Sequence, residues 1–464
     1  MQEGRRVWHL SYGRGIVEAL VAGRRARVRF DRAPDLPRTL ARGELQVGGA
    51  DEEPDPRDAA PVAPRVPPRP VLSIPVGESA AIRQTIEALR LGVVPSRYVE
   101  DYTVGRDREL RQLKALLDAG QGFRALCGGY GAGKTHFLDI AEHRARERGF
   151  ATCRIVVDPL EMPPTHPKRL YGAVLNELRM PDTADIGLDA LAHRLCESPD
   201  HRLPEGRSFS RFFSPYLHAL HCHDPEAIAL LRDYVAGEDV KTYLLDSILQ
   251  RTGWRGPTPL TLSDFRTYGR LYVHLLGTLA SWIRDAGHQG LVLLFDEVEH
   301  VNSLTRTELA YATAVLKHFA AVTLSRTALG FDPENPDELY RGGHAIHRAI
   351  PLRFRPDQPL SVVFALTPLD TTSRLYATIV TDAATSIALT PLQDAHLDEL
   401  LIRVEALYRR GYPGTSWSDS DWIRARKRVM SHLDDDGSTI RKFVQRTVCM
   451  LDEHRYRGWR THGA

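Results

Sequence analysis

Gly128-Gly129-Tyr130-Gly131-Ala132-Gly133-Lys134-Thr135 follows the apolar run Phe123 to Cys127 and opens a segment, Lys134 to Gly149, with helical spacing. The octet fits GxxxxGK[ST], and a strand-to-helix turn rich in glycine lets backbone N–H groups surround phosphate oxygens. Gly128, Gly129, Tyr130, Gly131, Ala132, Gly133, Lys134, Thr135 and His136 are therefore the expected nucleotide contacts. In this reading the cofactors are ATP and Mg²⁺. Lys134 neutralises β- and γ-phosphate charge, and the Thr135 hydroxyl coordinates the metal.

A phosphate loop needs acidic partners from another strand of the same sheet. Leu291-Val292-Leu293-Leu294-Phe295-Asp296-Glu297 supplies them, an uncharged apolar run that ends in two carboxylates where open α/β sheets bind ligands. Asp296 is read as holding a Mg²⁺-bound water and Glu297 as orienting the attacking water. Thr367 closes the next apolar run, Val362 to Leu366, in the place of a polar sensor. Arg441 lies off the apolar face of the last helical stripe, where it can reach back to a γ-phosphate. Arg353, Arg355 and Arg374 are candidate arginine fingers for a neighbouring subunit. His218, His221, Cys222 and His223 invite a zinc reading, but only some of the pairs share a helix face and no second cluster follows.

Outward from these motifs, the chain divides into four parts. Residues 1–50 read as short strands, Val7 to Leu10, Gly15 to Leu20 and Ala26 to Phe30, forming a small antiparallel β unit. That module carries ten arginines against five acids, whereas the whole 464-residue chain is only +2. A local basic face of this kind suits nucleic-acid phosphates. Residues 51–71 are a Pro-rich linker, with seven prolines in 51–70. Residues 80–390 form an α/β nucleotide-binding domain with a helical insertion at about 159–289, and 391–464 form a helical lid. The lid stripes are Leu397, Leu400, Leu401, Val404, Leu407 and Tyr408, then Ile440, Phe443, Val444, Val448 and Leu451.

Composition narrows the class further. With 42% hydrophobic and 26% charged residues the chain is of globular type. Five scattered cysteines without a CxxC pair suit a reducing compartment. The N-terminus lacks the apolar core of a signal peptide, and no stretch of about 18 apolar residues is present to span a bilayer, so a cytoplasmic protein is expected.

Two resemblances sharpen these expectations. Val7-Trp8-His9, Tyr12 to Val17 and Arg27 to Phe30 resemble the Tudor-like barrels of bacterial helicases and of transcription factors that touch RNA polymerase. Residues 80–455 resemble the BrxC/BrxD-like ATP-binding proteins of BREX phage-defence systems. The residues that carry this likeness are Ile86 to Pro95, Val104-Gly105-Arg106-Asp107, Gly128 to Phe137, Leu294 to Glu299, Arg341 to His344 and Phe364 to Pro368. That likeness implies an AAA+/origin-recognition-like P-loop ATPase. Its implied partners are a helicase or other defence-system proteins, while DNA is expected through the arginine-rich N-terminal module and further copies of the chain are a separate expectation. A signalling or assembly switch of the STAND type, without motor activity, uses the same site residues. A nucleotide kinase fits less well, because Asp296-Glu297 favours water activation and no second phosphate-acceptor pocket is visible.

Overall fold

A computed structural model of the chain describes residues 77–95, 97–196, 209–332, 358–379, 385–414 and 440–462. It also describes isolated positions between 418 and 429 and, near the N-terminus, the strand residues 6–9, 13–21, 25–30, 33–41 and 46–47. Two compact units, Met1–Pro75 and Val76–Ala464, divide the chain. The linker and the candidate fingers Arg353 and Arg355 lie outside the described residues, as do Tyr12 and the Arg341 to His344 motif.

In the N-terminal unit β1 (Arg6–His9), β2 (Gly13–Val21), β3 (Arg25–Phe30), β4 (Ala33–Ala41) and β5 (Gln46–Val47) form an antiparallel sheet of order β4-β3-β2-β1-β5. Val7, Val17 and Val28 are buried, one on each of the first three strands, and Val17 lies directly opposite Val28. The sequence pattern does not predict β4, which contains Pro34 and Pro37. Both fall in the unpaired stretch between Ala33 and Arg38 where the β3–β4 register shifts, so neither is asked for a ladder N–H.

The larger unit is built on a parallel sheet: β6 (Gly122–Cys127), β7 (Phe150–Val156), β8 (Gly290–Asp296), β9 (Leu360–Leu366) and β10 (Ser386–Ala388). Their order is β10-β6-β9-β8-β7, so Thr367's strand sits between the glycine-loop strand and the Asp296 strand. Every residue of β8 and β9 is buried, because helices cover both faces. Side-chain alternation divides β8 cleanly. Val292 and Leu294 pack with α2 (Asp107–Ala119) and α3 (Lys134–Glu147), while Leu291, Leu293 and Phe295 pack with α9 (Gly269–Asp285) and α10 (Arg306–Thr323).

Between β7 and β8 the chain forms α4 (Pro167–Glu177), α5 (Leu188–Leu195), α6 (Ser214–Cys222), α7 (Pro225–Val235), α8 (Thr242–Arg251) and α9. These helices share one continuous core with the sheet, since Tyr171, Tyr272 and Trp282 are buried in the same cluster as Phe295 and Phe364. Within this group His218 Nε2 lies 2.9 Å from the Thr252 carbonyl and 3.5 Å from Cys222 Sγ. No cluster of three or more His, Cys, Asp or Glu side chains suited to a metal occurs among the described residues. Among those residues no helix is long and apolar enough to cross a membrane.

The two C-terminal helices, Asp394–Gly411 and Ile440–His462, bury a second core against α1 (Glu78–Arg90). Ile82, Ile86 and Leu89 meet Leu400, Val404, Phe443 and Val448 there. A boundary at residue 391 thus misses one member of this group, because α1 precedes the sheet in sequence yet packs with the two helices at the other end of the chain. Asp452 fixes the arrangement, taking Arg90 Nε at 2.7 Å and the Tyr408 hydroxyl at 2.6 Å. Phe443 is fully buried in this core. Phe443→Ala should cost about 3–5 kcal/mol in urea unfolding of the full chain; a loss below about 1 kcal/mol contradicts this packing.

Candidate functional site

At the C-terminal edge of β6 the chain turns through Gly128 to Gly133 and enters α3 at Lys134. Gly131 and Gly133 have φ of +74° and +91°, a left-handed conformation that glycine adopts without Cβ strain. The turn is closed by Ala132 N–H donating to Gly129 O at 3.2 Å. Gly128 sits tightly, since a Cβ there would come within 3.1 Å of Ala132 Cβ and 3.2 Å of Leu389.

Lys134 is buried and folds back over the loop. Its ammonium donates to Thr367 Oγ1 at 2.8 Å and to the carbonyls of Gly128 and Gly129 at 3.2 and 3.4 Å. It also pairs with Glu299 at 3.2 Å. One residue on, the Thr135 hydroxyl donates to Asp296 Oδ2 at 3.1 Å. A hydroxyl and a carboxylate at this separation are hard oxygen donors of the kind Mg²⁺ takes, usually with waters completing its shell. The same Oδ2 accepts from Arg154 at 2.7 Å, and Arg154 also binds Asp139 at 2.7 Å. A metal held at this point would have to share Asp296 with the Arg154 guanidinium.

Glu297 ends β8 in the left-handed region at φ +57° and leads into the 3-10 turn Val298–Ser303. Its carboxyl is half-exposed, and its pKa is raised by burial and then by the charges of Glu299 and Asp296. Glu299 points back inward, with one oxygen accepting from the Thr367 hydroxyl as well as from Lys134. Geometry therefore joins Lys134, Thr135, Asp296 and Thr367 directly. It brings Glu297 to the rim of the same cleft.

That cleft has a volume of about 530 Å³. Its floor is Gly131, Gly133, Lys134, Thr135 and His136, and Tyr130 stands at its mouth, largely exposed. Its apolar lining comes from Val93, Val94, Tyr102 and Val104, which precede the sheet in sequence, and from Leu392, Leu400, Ile440 and Val444 near the C-terminus. Arg441 and Lys442, on the last helix, line it as well. The Arg374 backbone belongs to the helix Asp370–Ile379, and its side chain is exposed and away from this lining. His136 hydrogen-bonds Thr103 Oγ1 at 2.9 Å, and burial, with Arg106 nearby, lowers its pKa to about 4, which keeps the ring neutral at pH 7.

Four site residues escape the motif reading. Arg154 was visible as the one charged residue in the buried strand Ala-Thr-Cys-Arg-Ile-Val. Glu299 follows the two motif carboxylates closely, but only the left-handed turn at Glu297 brings it back to Lys134 and Thr367. Arg106 and Glu109, both buried, are the third signal. Arg106 donates to the Ala132 carbonyl at 2.9 Å and to the Thr390 carbonyl, and Glu109 accepts from the Thr390 N–H at 3.0 Å and hydroxyl at 2.8 Å. The pair ties the glycine loop to the segment that leads into the C-terminal helices.

Residues 78–198 match the family described as BREX system ATP-binding protein BrxC/D. The match takes in α1, the cleft wall, the glycine loop and α3; the Asp296 strand, Thr367 and Arg441 lie beyond it. No curated protein and no solved structure matches the chain. Over the matched residues the chain is similar to ATP-binding proteins, in agreement with a phosphate loop at the floor of the cleft.

Removing Arg106 alone leaves Glu109 as a buried charge with its cation gone, a change that costs about 3–5 kcal/mol. Arg106→Met should lower stability by that amount in denaturant unfolding. Arg106→Met with Glu109→Gln should recover more than half of the loss. Equal losses in the single and double variants would mean that the pair is not coupled.

Proposed function

We propose that the chain is an AAA+-like ATPase of a BREX-type antiphage system, binding Mg-ATP between the glycine loop and a helical lid and converting its hydrolysis into movement. The observation that carries this reading is the meeting of Lys134, Thr135, Asp296 and Thr367 at one edge of a parallel sheet, under a cleft roofed by Ile440 and Arg441. A polar sensor strand between the glycine-loop strand and the acidic strand is the order expected of that class. The family match over residues 78–198 supports nucleotide binding and the defence setting.

In this account Lys134 binds the β- and γ-phosphates while backbone N–H groups of the loop surround them. Thr135 and Asp296 would hold a Mg²⁺ ion, which would neutralise phosphate charge there. Glu297, its pKa raised by burial and by the neighbouring Glu299 and Asp296, orients water and takes its proton. Thr367 fixes that water from the opposite side. Arg441 reaches the terminal phosphate from the lid, so lid position follows the nucleotide. Adenine sits against Val93, Val94 and Val104 and against Ile440 and Val444.

A slow-turnover signalling or assembly switch is the second reading. Arg154 favours it, since its guanidinium already occupies Asp296 Oδ2 and competes there with the metal. The partners proposed are DNA, held by the arginine-rich N-terminal unit, a helicase or other defence proteins, and further copies of the chain. The compartment proposed is the cytoplasm.

Two substitutions separate binding from chemistry. Lys134→Ala should abolish ATP binding measured by titration calorimetry, whereas Glu297→Gln should keep binding and lower phosphate release at least about 100-fold. Wild-type turnover by Glu297→Gln would remove Glu297 from the chemistry.

Deleting residues 1–70 should weaken DNA binding strongly at low salt and flatten its salt dependence, because arginine–phosphate contacts release counterions. Unchanged DNA affinity across a salt titration would make the N-terminal unit a protein dock instead.

A further inference from the structure

We propose that Glu299 is a second functional carboxylate of the cleft, a positioning residue that competes with the nucleotide's terminal phosphates for Lys134 and passes their arrival to Thr367. The inference rests on the ATP reading above and adds to it a residue that the motif does not assign.

Three contacts form a closed triangle. Lys134 Nζ lies 2.8 Å from Thr367 Oγ1 and 3.2 Å from Glu299 Oε1, and the Thr367 hydroxyl donates to that same Oε1. Chain geometry makes this possible. Glu297 takes the left-handed conformation, so the 3-10 turn after it carries Glu299 back toward Asp296's side of the sheet edge, while Glu297 turns toward His300, 3.8 Å away. Glu299 is largely buried, and its second oxygen, Oε2, has no hydrogen-bond partner in the protein. An uncompensated buried carboxylate oxygen is costly, so something other than its neighbours must account for it.

Lys134 has three protons to donate and four acceptors already around it: Thr367, the Gly128 and Gly129 carbonyls, and Glu299. A phosphate oxygen that takes the ammonium has to displace one of them. Three of the four are neutral. Glu299 carries the same charge as the phosphate, and like charges within a few ångströms in a partly buried site repel strongly. Glu299 is therefore the acceptor that yields. Because Thr367 donates to the same oxygen, its hydroxyl is released at the same time and becomes free to bind water beside the γ-phosphate. Competition and release are one event.

Glu299→Gln tests this because it keeps the shape and an acceptor for Thr367 while removing the charge. Binding of a non-hydrolysable ATP analogue, measured by titration calorimetry, should tighten roughly tenfold in Glu299→Gln. Thermal unfolding without nucleotide should fall slightly, and the upward shift on adding the analogue should grow, since stabilisation by a ligand follows its affinity. Glu297→Gln should gain less affinity, because Glu297 does not touch Lys134. A residue that only supports the fold would give weaker binding and a smaller shift. Unchanged or weaker binding by Glu299→Gln, with wild type binding and Lys134→Ala not, overturns the role of Glu299 alone. Failure of wild type to bind any nucleotide overturns both this inference and the ATPase reading.

Discussion

A buried ammonium group has to be surrounded by acceptors, and at Lys134 those acceptors come from three separate parts of the chain. The loop supplies two carbonyls, β9 supplies Thr367, and the turn after β8 supplies Glu299. Satisfying one cation thereby fixes the relative heights of three strand ends. The parallel sheet is what makes this possible, because all five strands deliver their C-terminal residues to the same edge. Asp296 adds a second lock through Thr135 and Arg154.

The second constraint is the roof of the cleft. Helix α1 leaves the C-terminal core and the chain then passes Val93, Val94, Tyr102 and Val104 before it reaches the sheet, so one wall is attached to both bodies of structure. The buried Arg106–Glu109 pair holds this wall, the glycine loop and Thr390 together. Burying that pair is expensive unless every donor and acceptor is matched. Here the backbone of the loop and of Thr390 provides most of the matching, so the glycine loop and the segment entering the C-terminal helices are held through one shared pair.

Much of this was legible in the sequence wherever the local pattern carried the physics. A glycine-rich octet between an apolar run and a helical stripe has few other uses, and uncharged runs such as Leu291 to Phe295 can only be interior strands. Thr367 was readable from its place at the end of such a run. Harder to read was whatever depended on distant partners. β4 was hidden by its prolines, which fall where its register with β3 shifts and no ladder N–H is needed. Helix α1 gave a clear apolar stripe, but nothing in the stripe says that its partners lie more than 300 residues away. Arg154 and Glu299 looked like ordinary charged residues. Their meaning comes from strand register and from the turn at Glu297, and neither is encoded in spacing alone.

The central claim is that ATP lies in the cleft between the glycine loop and the C-terminal helices, in contact with both groups of lining residues. Photolabelling with 8-azido-ATP, followed by peptide mapping, tests it most directly. The account predicts labelled peptides containing Val93 and Val94 or residues 440–445, with the label lost on competition by excess ATP and in Lys134→Ala. Competable label confined to the N-terminal unit or to the helices between β7 and β8 would contradict it.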